Sequence, residues 1–440
     1  MITAARISAV IELLEAVELS FTSGGQSADA LVGDYFRARR YAGSKDRRAV
    51  SEQLYRILRS REVLQWCLDE SGTDLSARAL VLADMALHQE DTSVFGQDAP
   101  HAPAALSEDE QALLATVMAL DPAAAPAAAR ANIPPRHLEG FKARFQTDWQ
   151  QAAIALNSRA PLNVRVNALK YDASKQAQLI ENKNITVSKC TYAPDGLQLE
   201  GRINLAGEKA YRDGLIEVQD EASQIASLLV DAAPGMQVLD LCAGAGGKSF
   251  AVASSMAGKG QIHAFDTHGG RLQELGKRMQ RAGARNIQHR KLPLDAAGSA
   301  AILDPHMAAM DRVIVDAPCS GSGTWRRSPD LRWRHDSAAL DALARLQNSL
   351  IREGAGLVKP GGRLIYMTCS VFEMENEAVV EAFLADNPDW KPLNWQDVWT
   401  KSLPDVDAPT TLASRPDMLQ LAPHKHQTDG FFVALLQRLN

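Results

Sequence analysis

The chain has 440 residues, of which 46% are hydrophobic, and a formal net charge of −6. At about 150 residues per domain this length predicts roughly three domains, and the charge excludes a protein that is basic all over. Five cysteines without a CxxC pair leave one unpaired in any disulfide scheme, which argues against structural zinc and a secreted framework and favours a reducing cytoplasm.

The first 95 residues predict a helical domain. Leu54, Ile57 and Leu58 follow the i, i+3, i+4 spacing of a buried helix face. Nine basic residues between Arg37 and Arg61, against two acidic ones, either meet phosphates or form a solvated helix face. The amino terminus lacks the apolar core of a signal peptide, and no run of eighteen apolar residues occurs, so no membrane association is expected.

Three further segments complete the predicted organisation. Residues 96–155 are rich in Ala and Pro and indicate a linker with a helical connection. Residues 156–228 contain strand-like pieces, among them 210–218, and predict a small α+β module. From 229 to 440 apolar strands alternate with helices, the pattern of a doubly wound α/β sheet.

Two predicted strands of that sheet each deliver a cysteine at the carboxyl end. The segment 313–318 leads into Cys319, and the segment 364–368 leads into Cys369. In a doubly wound sheet of order 3-2-1-4-5 these two strands are neighbours about 4.8 Å apart, so both cysteines should face one pocket. The alternative is that each cysteine is a small buried hydrophobe.

A glycine-rich turn follows an earlier strand of the same sheet. The sequence from Val238 to Lys248 ends in a loop with Gly244, Gly246 and Gly247, which let the backbone approach a ligand closely. Three ligand sites compete for this loop: a P-loop, a dinucleotide fingerprint and the nucleoside pocket of a methyltransferase.

The first two patterns each fail at one position. Cys242 stands where a P-loop needs its first glycine, and Ser249 stands where the dinucleotide pattern needs its last. Asp266 ends the next strand, where a carboxylate can hydrogen-bond a ribose diol or merely cap a turn. Neither hydride nor phosphate transfer needs two strand-end thiols, which favours the third site.

Paired thiols beside a nucleoside pocket suggest covalent group transfer to a pyrimidine. Carbon 5 of such a ring is a poor nucleophile until a thiolate adds to carbon 6, and a second thiol could assist release. The segment 325–334 after Cys319 interleaves arginines with two tryptophans. It could contact phosphates and stack on an unpaired base, or pack its tryptophans in the core.

These motifs resemble the RNA cytosine-C5 methyltransferases of the Sun/Fmu (RsmB) family. The resemblance rests on Asp-Ala-Pro-Cys-Ser at 316–320 and Thr-Cys-Ser at 368–370, with Asp-Leu-Cys-Ala-Gly-Ala-Gly-Gly-Lys at 240–248 and Thr-Asp-Gly-Phe-Phe at 428–432 in agreement. It implies a Rossmann-like domain that uses S-adenosylmethionine, preceded by the small α+β module and an all-α NusB-like RNA-binding domain. It also implies the product 5-methylcytosine, made in 16S ribosomal RNA.

The resemblance implies roles for particular residues. Cys369 is the nucleophile, Cys319 aids product release, and Asp316 lies between cofactor and base. Arg165 and Asn167 belong to the RNA-side module, and we expect Arg326 and Arg327 to contact RNA as well. The residues implied for cofactor binding are Cys242, Ala243, Gly244, Ala245, Gly246, Gly247, Lys248, Asp266 and Asp316. We expect a monomer without a metal ion.

Two departures from the family pattern leave alternatives open. The turn lacks the usual proline, and Gln288-His289-Arg290-Lys291-Leu292-Pro293 stands where an adenine-binding Asp is usual, the nearest carboxylate being Asp295. The alternatives are a transfer RNA cytosine-C5 methyltransferase, a methyltransferase acting on an amino group, and an RNA-binding ribosome assembly factor with a lapsed active site.

Overall fold

The computed structural model describes residues 1–171, 179, 185–201 and 203–440. The chain forms two compact units. One consists of Met1–Ser158 together with Thr324–Ala339, and the other of Arg159–Gly323 together with Leu340–Asn440. None of the helices in the described part of the chain combines the length and apolarity that a bilayer crossing requires.

The first unit is helical. Three of the helices in Met1–Ser158 start at the hydrogen-bonding caps Ser27, Ser76 and Ser107, whose side chains accept from backbone N–H groups in the first turn. Apolar faces of the unit's helices form one core around buried residues such as Leu14 and Leu58. The helices of Met1–Ser158 are α1 (Thr3–Ser23), α2 (Ala28–Ala38), α3 (Ser44–Ser71), α4 (Ala77–Leu87), α5 (Glu108–Ala119), α6 (Ala127–Arg130), α7 (Pro135–Phe145) and α8 (Trp149–Asn157).

The second unit begins with a small antiparallel sheet of order β2-β3-β1-β4. Val164, Leu197 and Ile216 are among the residues that fill its core. The prediction of strand-like pieces within 210–218 holds for the end of that segment, whereas its first residues fold into a short helix. The elements are β1 (Leu162–Val166), β2 (Ile185–Lys189), β3 (Gly196–Gly201), α9 (Lys209–Arg212), β4 (Ile216–Val218) and α10 (Glu221–Leu228).

A larger sheet follows, with helices between its strands. The elements are β5 (Gln237–Asp240), α11 (Gly247–Ser255), β6 (Gln261–Asp266), α12 (Gly269–Ala282), β7 (Ile287–Lys291), α13 (Ala296–Leu303), β8 (Met310–Asp316), α14 (Leu331–Arg334), α15 (Ser337–Leu357), β9 (Val358–Thr368), α16 (Glu377–Asp386), β10 (Trp390–Leu393), α17 (Trp395–Ser402), β11 (Leu419–Leu421), α18 (Pro423–His426) and β12 (Phe431–Arg438). Of these, α14 and the start of α15 belong to the first unit.

The strand order of this sheet is β10-β12-β9-β8-β5-β6-β7, with β11 paired to β12. From β7 to β9 the strands are parallel, whereas β12 and β10 are antiparallel additions. The parallel part has the predicted order 3-2-1-4-5, so the doubly wound α/β fold is confirmed. The end of β8 lies beside the end of β9, with Asp316 opposite Met367.

The segment Thr324–Ala339 leaves the second unit and packs within the first. Trp325 stacks on Phe141 at a centroid distance of 6.0 Å, and the indole N–H of Trp333 donates to Glu62 at 2.8 Å. Asp330 accepts from the backbone N–H of Ala28 at 3.2 Å. The range 229–440 drawn from the sequence includes this segment, because a strand and helix pattern cannot show which core a connecting loop joins.

Candidate active site

Two thiols meet at the carboxyl ends of β8 and β9. Cys319 follows β8, Cys369 follows β9, and their Sγ atoms lie 3.4 Å apart. Both residues are partly exposed, and the backbone N–H of Gly323 donates to the carbonyl of Cys369 at 2.9 Å. The structure therefore places the two sulfur atoms together, as the strand order predicts.

The surroundings of Cys319 favour its neutral form. Its hydrogen bond with Cys369, its burial and the nearby charge of Glu375 together raise the pKa of the Cys319 thiol well above its usual range. Cys319 thus holds its proton at neutral pH. A thiol that stays protonated is suited to donating a hydrogen bond, whereas the nucleophile must ionise.

An ion pair lies beside the cysteines. Lys248 Nζ bonds Asp316 Oδ2 at 2.5 Å and lies 4.9 Å from the ring centroid of Phe431. Burial disfavours the charged ammonium, but the charge and hydrogen bond of Asp316 outweigh burial and raise the pKa of Lys248, with a further contribution from Cys369. Lys248 is therefore a fixed cation at the junction of the glycine turn and the cysteines.

The turn between β5 and α11 has an open face. Gly244 has φ +55°, and a Cβ placed there would meet nothing within 4 Å. Gly246 has φ +83°, and a Cβ there would come within 2.8 Å of Leu275 and 2.9 Å of Phe250. Glycine is therefore needed at 246 for packing, while the backbone at 244 is left accessible to a ligand, as in a nucleoside site.

Carboxylates hold the shape of this turn. Asp266 accepts from the N–H of Gly244 at 2.8 Å and of His268 at 2.6 Å. Asp240 is buried, which raises its pKa to about 7, although Ser249 donates a hydrogen bond at 2.6 Å to one of its oxygens. Its other oxygen has no partner among the described residues, so this buried site retains hydrogen-bonding capacity.

Three further residues of the predicted cofactor loop, Cys242, Ala243 and Ala245, have structural contacts that hold the loop in place. Burial, followed by the charge of Asp240, raises the pKa of Cys242 well above its usual range, so this thiol stays neutral. Ala243 donates its N–H to the carbonyl of Phe265 at 2.8 Å, and Ala245 accepts from Arg278 at 2.9 Å. These bonds fix the loop against β6 and α12.

Asp295 is the carboxylate nearest to the place where the family usually has an adenine-binding Asp, and in this structure it already has a hydrogen-bond partner. Asp295 caps α13 by accepting from the N–H of Gly298 at 2.7 Å. Leu292, which follows β7, is buried and donates its N–H to the carbonyl of Asp266 at 2.9 Å. Asp295 thus has a structural partner already.

Arg165 and Asn167 are buried inside the second unit. Arg165 donates to Gln219 at 2.8 Å and to Ser254 at 3.3 Å, and burial lowers its pKa to about 10. Asn167 donates to the carbonyls of Gly214 and Ala282, both at 2.8 Å. In this structure they join β1 to α11 and α12, and contact of these side chains with RNA stays a prediction.

Arg326 and Arg327 lie in the segment that packs within the helical unit. Arg326 is 4% exposed, and Arg327 is partly exposed. The carbonyl of Arg326 accepts from Arg59 at 3.3 Å. Their contact with RNA likewise stays a prediction.

Most of the basic run between Arg37 and Arg61 is engaged with acids of the helical unit. Arg56 bonds the buried Asp84 and Arg61 bonds Glu18 at 2.7 Å. Three further pairs are Arg37 with Asp34, Arg39 with Glu12 and Arg48 with Glu52. Such pairing argues against a phosphate site for these arginines, and it fits a solvated face at the exposed Arg37 and Arg48, whereas Arg61 is buried.

One buried carboxylate at the site was missed from the sequence. Glu375 lies just after β9 and is fully buried. It accepts from the hydroxyl groups of Ser320 and Ser370, the residues that follow the two cysteines. The signal that could have found it is the repeated Cys-Ser dipeptide, since two buried hydroxyls in equivalent places each need a hydrogen-bond partner and one carboxylate can serve both.

The doubly wound sheet, the glycine turn and the strand-end site define the fold of the S-adenosylmethionine-dependent methyltransferases. Residues 227–437 match a family model described as 16S rRNA methyltransferase RsmB/F. Residues 136–206 match a second model, described as the ferredoxin-like domain of RsmF/B-like methyltransferases. Together the two matches span well over half of the chain, which belongs to the RsmB/F family.

Similar proteins agree with that assignment. A Synechocystis sp. protein named probable ribosomal RNA small subunit methyltransferase B is 35% identical over 300 residues, which are 67% of this chain and 65% of that relative. The chain thus spans just under two thirds of its length.

Two solved structures are also similar. The crystal structure of PH0851 matches with TM-score 0.77 and 26% identity over 100% of this chain and 99% of its own. A methyltransferase homologue from Pyrococcus horikoshii matches with TM-score 0.61 and 25% identity over 73% of this chain and 100% of its own.

Proposed function

We propose that the protein transfers a methyl group from S-adenosylmethionine to carbon 5 of cytosine in RNA, and that its substrate is small-subunit ribosomal RNA. The observation that carries this proposal is the pair of Sγ atoms 3.4 Å apart at the ends of β8 and β9. The names of the similar proteins support ribosomal RNA as the substrate class. A transfer RNA substrate is the alternative that the experiment below separates.

Cys369 is the nucleophile in this proposal. Its thiolate forms a bond to carbon 6 of the ring, which makes carbon 5 electron-rich enough to accept a methyl group. When bound, S-adenosylmethionine supplies that electrophilic methyl. The carbon-5 proton is then lost to a base, the bond between sulfur and carbon 6 breaks, and the electron pair returns to the Cys369 sulfur.

Cys319 stabilises the departing sulfur. Its thiol stays protonated, and its Sγ atom lies 3.4 Å from that of Cys369, which is within hydrogen-bond reach for sulfur. An S–H donor at that place favours the thiolate leaving group as the product forms. Loss of this donor should slow release more than attack.

The glycine turn and the ion pair would hold the reactants. The open backbone at Gly244 and the carboxylates of Asp266 and Asp240 fit the polar nucleoside and amino-acid groups of the cofactor. Asp316 gives one oxygen to Lys248, and the carboxylate is exposed enough to accept also from the amino group of cytosine. Lys248 offsets the negative charge that gathers around the thiolate.

The test is tritium release from carbon 5 of cytosine in RNA. Purified protein would be incubated with S-adenosylmethionine and either 16S ribosomal RNA, assembled small subunits or transfer RNA labelled at that carbon. We expect release with the ribosomal substrate and none from a Cys369→Ala variant. Cys67→Ala is the matched control, because Cys67 is buried in the helical unit and should leave release unchanged.

Two outcomes would contradict the proposal. Release that persists in the Cys369→Ala variant rejects the assigned nucleophile. Calorimetry without any binding of S-adenosylmethionine by the wild-type protein would instead favour an assembly factor with a lapsed site. Bisulfite sequencing of RNA from cells with and without the gene then identifies the modified cytosine.

A further inference from the structure

We infer that Glu375 is a positioning residue that clamps the turns carrying both cysteines and keeps their two sulfur atoms in register. The inference rests on the proposed function and deepens it. Glu375 touches neither sulfur in the described contacts, so it acts through the residues that follow the cysteines.

The carboxylate of Glu375 is bonded on both oxygens. One oxygen accepts from the backbone N–H of Ser320 at 2.8 Å and from Gln347 Nε2 at 3.1 Å. The other accepts from Ser320 Oγ and from Ser370 Oγ, both at 2.5 Å. Because all four partners are neutral donors, the arrangement suits an ionised carboxylate that only accepts.

The two serines make the clamp symmetrical. Ser320 follows Cys319 and Ser370 follows Cys369, so one buried carboxylate holds the same position in both turns. Ser322 completes the connection, because its hydroxyl lies 2.9 Å from Ser370 Oγ and accepts from a backbone N–H beyond β9, also at 2.9 Å.

The clamp also places a negative charge close to the cysteines. The groups facing Cys319 are Cys369, Glu375 and Tyr366, whose hydroxyl donates to the carbonyl of Glu375 at 2.6 Å. The charge of Glu375 adds to the hydrogen bond and burial that raise the pKa of Cys319. Glu375 therefore favours Cys319 as the protonated partner of the pair.

The first test is Glu375→Gln, which keeps the shape of the side chain and removes its charge and two acceptor sites. A misplacement of about 1 Å can cost roughly a hundredfold in rate. We expect kcat to fall by about ten- to a hundredfold, while the KM values for RNA and S-adenosylmethionine stay within about twofold. The matched control is Glu377→Gln, a buried glutamate two residues on that accepts from the N–H of Ser414.

A second readout is independent of methylation. The rate of Cys319 alkylation by iodoacetamide, measured against pH by mass spectrometry, should shift to lower pH in Glu375→Gln and stay unchanged in Glu377→Gln. A merely structural role for Glu375 would leave this profile where it is in the wild type. A folded Glu375→Gln variant with wild-type kcat and a wild-type Cys319 profile would overturn the inference.

Two further variants, each of which removes one serine hydroxyl from Glu375, cover the case in which Glu375→Gln fails to fold. Ser320→Ala and Ser370→Ala each remove one hydroxyl donor from the carboxylate and should each lower kcat about tenfold in a protein that still folds, with a lowered melting temperature because the buried carboxylate loses a partner. A wild-type kcat in both serine variants would overturn the inference that Glu375 positions the two cysteines. If the wild-type protein releases no tritium from cytosine, the proposed function fails, whereas the alkylation profile still decides whether the clamp exists.

Discussion

The ion pair between Lys248 and Asp316 should stabilise the edge of the sheet at which the site lies. The pair joins the start of α11 to the end of β8 at 2.5 Å, with side chains 12% and 29% exposed. The perturbation is a double-mutant cycle of Lys248→Met and Asp316→Asn. Both replacements keep the approximate size of the side chain and remove its charge.

The magnitude follows from Coulomb's law and the cost of burial. With an effective dielectric constant of about 20, unit charges at this separation attract by about 7 kcal/mol. Desolvation of the ions offsets several kcal/mol of that attraction. We therefore expect a coupling free energy of about 2 kcal/mol, which is about a 30-fold change in the equilibrium constant for local opening.

The assay is hydrogen exchange of the amides in β8 and β5, which reports the free energy of opening of the sheet in each variant. A matched control exists on the same strand, because Asp311 pairs with Lys359 at 2.6 Å with side chains 20% and 46% exposed. That more exposed pair should show a coupling under about 1 kcal/mol and a stronger loss with salt.

Equal coupling for the two pairs would refute this reasoning. A coupling below about 0.5 kcal/mol for Lys248 and Asp316 at low salt would do the same, since it falls in the range of an exposed surface pair. Either result would mean that the site leaves Lys248 hydrated.

Three other predictions concern stability. Asp240 has a native pKa of about 7 against about 3.9 when unfolded, so its contribution to the free energy of unfolding is fully present below pH ~4 and falls by about 4 kcal/mol by pH ~7. Urea unfolding at pH ~4 and pH ~7 should show this fall in the wild type and not in Asp240→Asn. The same pH dependence in both proteins would contradict this prediction. Trp325→Ala should destabilise the helical unit by about 3–5 kcal/mol in thermal unfolding, and Trp325→Phe should destabilise it by much less. A loss below ~1 kcal/mol for Trp325→Ala would argue against the burial of Trp325. Glu217 is 2% exposed and pairs with Arg278 at 3.0 Å and Arg281 at 2.8 Å. Glu217→Ala should therefore lower the free energy of unfolding by about 3 kcal/mol and speed amide exchange in β4 and α12. Unchanged exchange would argue against the pairing.

The local sequence pattern is sufficient to predict the strand order of the parallel sheet and the closeness of the two thiols. Continuous apolar runs before Cys319 and Cys369 are typical of buried parallel strands, and the usual strand order makes those runs neighbours. The glycines at 244 and 246 likewise mark positive-φ positions that the structure contains. These features depend on residues close together in sequence, which is why the chain alone predicts them.

Features that depend on distant contacts were not predictable in this way. Glu375 and Ser320 are 55 positions apart, so their bond follows from strand order together with loop conformation. The two tryptophans after Thr324 suit a base-stacking loop as well as a core, and only the stacking of Trp325 on Phe141 and the bond of Trp333 to Glu62 decide between them. For Arg165, alternation within a strand gives no sign that the guanidinium is enclosed by Gln219 and Ser254.

Covalent trapping with the two cysteine variants tests the proposed roles of the two sulfur atoms most directly. Labelled substrate RNA and S-adenosylmethionine would be incubated with each variant and resolved on a denaturing gel. We expect a slow-migrating protein–RNA band with Cys319→Ala, because release is impaired, and no such band with Cys369→Ala or with both replacements. A band that forms without Cys369, or none from Cys319→Ala while the wild type methylates the same RNA, would contradict the assigned roles of the two sulfur atoms.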